Sequence, residues 1–257
     1  MIDLHCHFLP GVDDGPEEAD EALALAAAAV KNGIRVAALT PHVHPRRYPN
    51  TKTSLLKAFV KFQHLLKVND IPLKLFLAGE VRLSIESLAL FEQDEVPFLG
   101  EVDGYKIVLL EFPHEAIPVG SQQFVSKLLS MKVRPLIAHP ERNKYVMDDP
   151  DRIRPYVDMG CWLQITAGSI YGAFGKQAKK VATQLLEQEM GWIIATDAHN
   201  ANHRPPDLAK GRDAVADILG NRLAKRMVLD RPAKILGIDP ETLMPLASAS
   251  RIPASIQ

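Results

Sequence analysis

The residues with the plainest chemical potential stand at the start of this sequence. His5 and His7 flank Cys6 at the end of an apolar opening, and a Gly- and Pro-rich turn with adjacent Asp13 and Asp14 follows. If residues 1–7 form a strand, alternation places the two imidazoles on one face and Cys6 on the other. Neutral imidazoles and carboxylates brought together by a strand end and a sharp turn suit a divalent metal ion. A solvated His pair beside a helix-capping aspartate would carry the same letters, so the pair alone leaves both readings open.

The rest of the chain repeats the arrangement. Apolar runs end in Thr40-Pro41-His42, in Gly79-Glu80, in Leu110-Glu111, in Ala138-His139-Pro140-Glu141-Arg142 and in Thr196-Asp197-Ala198-His199. One run closes on Gln164 and Thr166 without a His, Asp or Glu. Barrel enzymes assemble their active sites at the rim formed by such strand ends. Burying so many ionisable groups without compensation would cost several kcal/mol apiece, and bound cations would offset that cost.

The elements that must position these groups alternate. Strands are predicted at 1–7, 35–40, 73–78, 105–110, 133–138, 161–165 and 191–195. Helices are predicted at 17–32, 53–69, 84–92, 119–131, 150–159, 173–190, 206–220, 222–227 and 232–236. The first helix carries acids in its first turn and Gly33 just past its end. Strands alternating with helices predict parallel pairing in an α/β fold. Seven such units point to a TIM-like barrel, a single domain over 1–240, and a tail rich in Pro, Ala and Ser over 241–257.

Composition narrows the function classes. With 47% hydrophobic residues in 257, the chain can bury a large core. A net charge of −1 offers no general attraction for nucleic acid or an anionic membrane. Two cysteines, Cys6 and Cys161, make no disulfide framework. The opening lacks the basic and apolar blocks of a signal peptide, and no apolar run reaches the length of a membrane span. The expectation is a cytoplasmic protein.

Read in order, the His5-Cys6-His7 and Leu9-Pro10-Gly11-Val12-Asp13-Asp14-Gly15-Pro16 opening, Thr40-Pro41-His42, Gly79-Glu80, His139-Pro140-Glu141-Arg142, Thr196-Asp197-Ala198-His199-Asn200 and Arg204-Pro205-Pro206 resemble the PHP (polymerase and histidinol phosphatase) superfamily. Within it they resemble the bacterial capsule-type tyrosine phosphatase branch, CpsB/YwqE-like, over roughly residues 1–240. The resemblance implies a distorted seven-stranded α/β barrel holding three divalent metal ions, manganese first, with iron or zinc also compatible. By matching motifs, His5, His7, Glu80 and Asp197 hold one ion. Glu80 bridges to a second, held also by Glu111 and His139, and Asp14, His42 and His199 hold the third. Arg142 and Arg204 match the positions that grip phosphate. Glu111 rests on its strand-end place before Phe112-Pro113, with His114 as a nearby competitor, and Asp14 on taking the second of two adjacent aspartates. The implied partner is a phosphotyrosine-bearing protein, a bacterial tyrosine kinase controlling capsule or exopolysaccharide export.

These groups fit one reaction well. Asp14, Glu80, Glu111, Asp197 and one hydroxide leave three divalent ions with net positive charge, suited to a phosphomonoester dianion. Two ions sharing a hydroxide would present a nucleophile at neutral pH. The arginines, with their two-oxygen fork, would neutralise the phosphoryl group during direct in-line attack. No Cys-X5-Arg loop offers an alternative nucleophile, since Val12 and Ala167 stand where the arginine would be. His42 or His199 are candidates for protonating the leaving group. His44, Arg46 and Arg47 read as loop residues or as substrate contacts, and Thr166 as a hydrogen-bonding partner behind a ligand. Competing readings are a small-molecule phosphatase of the histidinol-phosphatase type, a C–N hydrolase of the amidohydrolase kind, and a non-catalytic metal-loaded partner of the kinase.

Overall fold

A computed structural model describes residues 1–243. Of the tail expected over 241–257, the first residues complete a 3-10 turn at Pro240–Leu243, and the remainder lies outside the described residues.

Ten strands run through the described residues: β1 (Ile2–Cys6), β2 (Val36–Leu39), β3 (His42–Val43), β4 (Lys74–Leu77), β5 (Glu80–Arg82), β6 (Gly100–Val102), β7 (Tyr105–Glu111), β8 (Val133–Ala138), β9 (Trp162–Thr166) and β10 (Gly191–Ala195). The fold is α/β, and every pairing is parallel except that of β6 with β7. The apolar runs behind β1, β2, β7, β8, β9 and β10 are largely buried on both faces, as parallel strands covered by helices are. The helices supply complementary stripes. In Ala19–Lys31 these are Ala22, Leu25, Ala26 and Ala29, at helical spacing. Lys52–Val68 starts from a reciprocal capping box between Thr51 and Ser54.

Three strands escaped the sequence reading. The runs 35–40 and 73–78 stop at Leu39 and Leu77 and resume as β3 and β5. Pro41, which has no N–H to give a ladder, stands at the first break. Gly79 stands at the second, where a Cβ would lie 2.8 Å from Val43 and 2.9 Å from Pro97. The third, β6, forms a tight hairpin with β7 through Asp103-Gly104, both with positive φ, a turn signal that the apolar periodicity did not carry. Short helices at Lys144–Asp148 and Ala167–Tyr171 were also not expected, and 150–159 divides into a 3-10 turn and Arg154–Asp158.

The breaks transfer pairing from one sheet to another. β1-β2-β4 form a three-stranded sheet, and β10-β9-β8-β7-β5-β3 form the larger one, with β6 on β7. The two meet where Cys6 bridges Ala198, with His7 N–H donating to the Ala198 carbonyl at 2.9 Å and Asp197 N–H to the His5 carbonyl at 2.8 Å.

One irregularity sets the site. The register of β1 on β2 slips between Asp3 and Cys6. Ile2 and Leu4 pack inward with Val36, Ala38, Leu109 and Leu136, whereas Cys6 joins the outer core under the helices. A one-residue bulge exchanges the faces of everything after it. It turns His5 and His7 inward, where uninterrupted alternation from Leu4 would have aimed Cys6.

Candidate metal centre

The strand ends deliver their polar residues to one place. His5 Nε2 lies 3.1 Å from Asp197 Oδ1, 3.4 Å from Glu80 Oε2 and 3.2 Å from His7 Nε2. His7 Nε2 is 3.4 Å from both carboxylates. His139 Nε2 approaches Glu80 Oε1 at 2.8 Å, and His42 Nδ1 approaches Glu80 Oε2 at 3.0 Å. Asp14 Oδ1 sits 3.3 Å from the Nε2 atoms of both His42 and His199. Register explains part of this: His42 pairs with Glu80 across β3–β5, and Arg82 with Glu111 across β5–β7.

All nine residues named from the sequence fall into groups compact enough to share an ion. The groups are His7, Asp14, His42 and His199; His5, His7 and Glu80; His5, His139 and Asp197; and His42, Glu80 and Glu111. The grouping differs from the expected one: there are four overlapping groups rather than three, Asp197 and His139 sit together with His5, Glu111 joins His42 rather than His139, and His5, His7 and His42 each reach two groups. His114 belongs to none of these groups and lines the cavity mouth instead.

The donor atoms fit cations. Glu80 Oε2, Asp197 Oδ1 and His199 Nε2 are buried without a hydrogen-bond partner. Unpaired buried polar atoms are costly, and divalent ions held by the separate groups to which these residues belong would account for all three. The imidazoles are oriented from behind: His7 Nδ1 by Asp13 Oδ2 at 2.6 Å, His199 Nδ1 by the Asp197 carbonyl at 2.9 Å, and His5 Nδ1 by Gln164 Oε1 at 2.9 Å. Each leaves Nε2 directed at the centre. His139 (φ 33) and Asp197 (φ 54) hold left-handed backbone, a strain that surrounding structure sustains at functional sites.

Electrostatics separate the histidines. Burial opposes charge on His5, but Asp197 and Glu80 outweigh it and raise its pKa to about 9. His42 is likewise raised to about 10, with Glu80 and Asp14 overcoming burial, and His7 is raised by Asp13 against the same opposition. His139 falls to about 3 through burial and the neighbouring Arg142, and His199 to about 4 through burial and His7. Burial works against the charged forms of Glu80 and Asp197, yet the surrounding cationic groups hold both well below the usual carboxylate range. Burial and the facing Glu80 push Glu111 up.

Arg142 Nη2 and Arg204 Nη2 converge on one oxygen, Asp197 Oδ2, at 2.6 and 2.5 Å. Both line a cavity of about 300 Å³ whose floor is the cluster. Sequence reasoning missed several supports. Arg82, two residues past Glu80 on the same strand face, pairs with Glu111 at 2.9 Å. Asp13, not only Asp14, is used: it also accepts from Gly15 N–H at 3.0 Å and His42 N–H at 2.9 Å, and its place two residues before Gly15 is a recognisable Asx-turn signal. Asp3 ties the first strand to the last by accepting from Thr196 N–H and its hydroxyl, and burial raises its pKa to about 6. Thr166 departs from expectation, because its hydroxyl is without a partner and its backbone N–H binds the buried Glu141 at 3.0 Å. Arg46 is engaged with Glu86 on the surface, and Arg47 lies over Tyr48, whose ring stacks on His42.

Comparison with known proteins places this arrangement. The family model described as "Capsular polysaccharide synthesis, CpsB/CapC" matches residues 1–237. The tyrosine-protein phosphatase YwqE of Bacillus subtilis is 36% identical over 205 residues, 79% of each chain. The tyrosine-protein phosphatase CpsB of Streptococcus pneumoniae is 29% identical over 241 residues, 92% of this chain and 98% of that one. A crystal structure from work on those two proteins, described there as unique metal-dependent tyrosine phosphatases, superposes with a TM-score of 0.85 at 31% identity, covering 92% of this chain and 94% of the other.

Proposed function

The chain belongs to the CpsB/CapC family of capsular polysaccharide synthesis, and from that premise we propose that it is a metal-dependent protein-tyrosine phosphatase whose substrate is an autophosphorylated bacterial tyrosine kinase. The observation that carries the reading is the convergence of nine His, Asp and Glu residues around three orphaned buried donor atoms, with two arginines at the rim. By the motif matches, His5, His7, Glu80 and Asp197 would hold one divalent ion, Glu80, Glu111 and His139 a second, and Asp14, His42 and His199 a third, and the four overlapping groups of the structure draw on these same nine residues. The mixed imidazole and carboxylate set suits manganese, with iron or zinc as alternatives.

Ions bound there supply Lewis acidity, which brings water within reach of ionisation at neutral pH and offsets phosphoryl charge. The chain's own part is binding and orientation. Arg142 and Arg204, anchored on Asp197 Oδ2, donate to the phosphoryl oxygens in the cavity. Neither cysteine can act as nucleophile: Cys6 and Cys161 are buried and their thiol pKa values are pushed up, to about 12 for Cys161. The reading is direct passage of the phosphoryl group to water. His42 and His199 aim their Nε2 atoms at Asp14 and are read as ligands; a phenolate of pKa about 10 needs little acid help, and either ring is placed to give it through a water.

In this reading the two sheets are halves of one distorted seven-stranded barrel in a domain spanning 1–240, with 241–257 as a tail. The bridge between Cys6 and Ala198 and its two backbone hydrogen bonds support closure between β1 and β10. No helix among the described residues is long and apolar enough to cross a membrane. A cytoplasmic site of action accords with two free, buried cysteines.

The test is turnover of phosphotyrosine peptides and of small phosphate esters before chelation, after chelation and after manganese is restored. The reading expects loss, rescue and a higher kcat/KM for the peptides. A preference for small esters would make it a small-molecule phosphatase, and no turnover with manganese, iron or zinc would leave a binding module.

A further inference from the structure

β9 is the strand whose end brings no ionisable group to the cluster, yet it places a fully buried amide there, Gln164. Its Oε1 lies 2.9 Å from His5 Nδ1 and 3.3 Å from the backbone N of His139. Its Nε2 is buried without a partner. A backbone N–H can only donate, so the atom facing His139 must be the oxygen, and the amide cannot be turned over. The same oxygen faces His5 Nδ1, so that nitrogen must carry the proton. In the neutral ring that ligation requires, the lone pair of His5 is then on Nε2, the atom directed at Asp197 Oδ1 and Glu80 Oε2.

We infer that Gln164 is a positioning residue of the metal centre: one neutral amide oxygen sets the tautomer of His5 and secures the backbone of His139, two ligands that lie far apart in the chain. This rests on the metal-dependent reading above. The choice of an amide has a chemical consequence. His7 is held by the Asp13 carboxylate, which adds a negative charge behind its ligand. At His5 the same geometry is met by a group without charge, so the centre keeps more of its positive potential for a phosphate dianion.

Two near-isosteric variants separate this role from packing. Gln164→Met keeps the volume and removes the acceptor. Gln164→Glu keeps the acceptor and adds charge. Affinity for zinc and manganese is read by competition with a chelating dye, and the His5 tautomer by 15N NMR of the zinc-loaded protein. Melting of the metal-free proteins checks folding. The inference expects Gln164→Met to bind metal about 10- to 100-fold more weakly and to lose the single Nδ1-protonated form at the resonance assigned to His5. Gln164→Glu should retain affinity within a few-fold while KM for a phosphate monoester rises. A packing role predicts the reverse order, with Met tolerated and Glu damaging. Wild-type affinity and an intact His5 signature in Gln164→Met would overturn the inference while leaving the phosphatase reading in place. Failure of the wild-type protein to take up any metal would overturn both.

Discussion

Asp13 Oδ2 lies 2.6 Å from His7 Nδ1, while Asp14, the next residue, turns the other way, to the Nε2 atoms of His42 and His199. Two adjacent, identical side chains thus serve different ends: one orients a ligand from behind, and the other faces the centre. Asp13→Ala strips partners from His7, Gly15 N–H and His42 N–H, so the metal-free protein should lose about 1–3 kcal/mol of stability. Asp14, whose side chain is 40% exposed, should be dispensable for folding but not for metal content. Thermal melts with and without chelator, paired with metal analysis, distinguish the two. Equal melting losses would contradict this division.

Metal uptake should release protons. In the metal-free protein the pKa values of His5 and His42 are raised to about 9 and 10, so their stabilisation is fully present below the ordinary histidine value and is lost as pH rises through that range. Ligation needs neutral rings. Binding near neutral pH should therefore expel about three protons, from His5, His7 and His42. His139 and His199, already neutral, should contribute none. Titration calorimetry in buffers of different ionisation heat counts the protons, and a buffer-independent heat would refute the assignment.

Arg142 and Arg204 should matter to turnover rather than to metal retention. Replacing either by Ala is expected to lower kcat by about 10²–10³-fold, with Lys recovering part of it and the metal count unchanged. Steady-state kinetics alongside metal analysis check this. Loss of metal in both variants would show that the arginines act mainly by holding Asp197.

Gly15 is the hinge of the Asp13–Asp14 turn. A Cβ there would lie 2.3 Å from the His7 carbonyl oxygen, so Gly15→Ala must displace the turn or the strand end. The expected outcome is a protein that folds with reduced metal content and activity. Wild-type metal content by elemental analysis would show that the turn tolerates the shift.

Much of the fold was legible in the residues. Apolar runs such as Ile107 to Leu110 and Leu136 to Ala138, separated by amphipathic stretches ending at Gly33 or Gly160, predict strands and helices in the right order because burial and turn chemistry are local demands. The breaks at Pro41 and Gly79 were not legible in this way, since the apolar letters run to Leu39, one residue short of the first, and to Ala78, directly before the second. The inward turn of His5 and His7 was half legible. Alternation says that they share a face, but only the slip of β1 on β2 says which one.

From its letters alone, the type of chemistry was legible: nitrogen and carboxylate donors at successive strand ends, two arginines just beyond two of them, and no Cys-X5-Arg loop to compete. Those are properties of side chains and of short-range periodicity. Which donors lie close enough to share an ion, which nitrogen of each imidazole is free, and why Glu111 meets His42 rather than His139 were decided only by the tertiary structure. The reason is geometric: apart from the short-range contacts behind His7 and His199, each of those relationships is a distance of a few ångströms between residues tens to nearly two hundred positions apart, set by strand register and by one bulge.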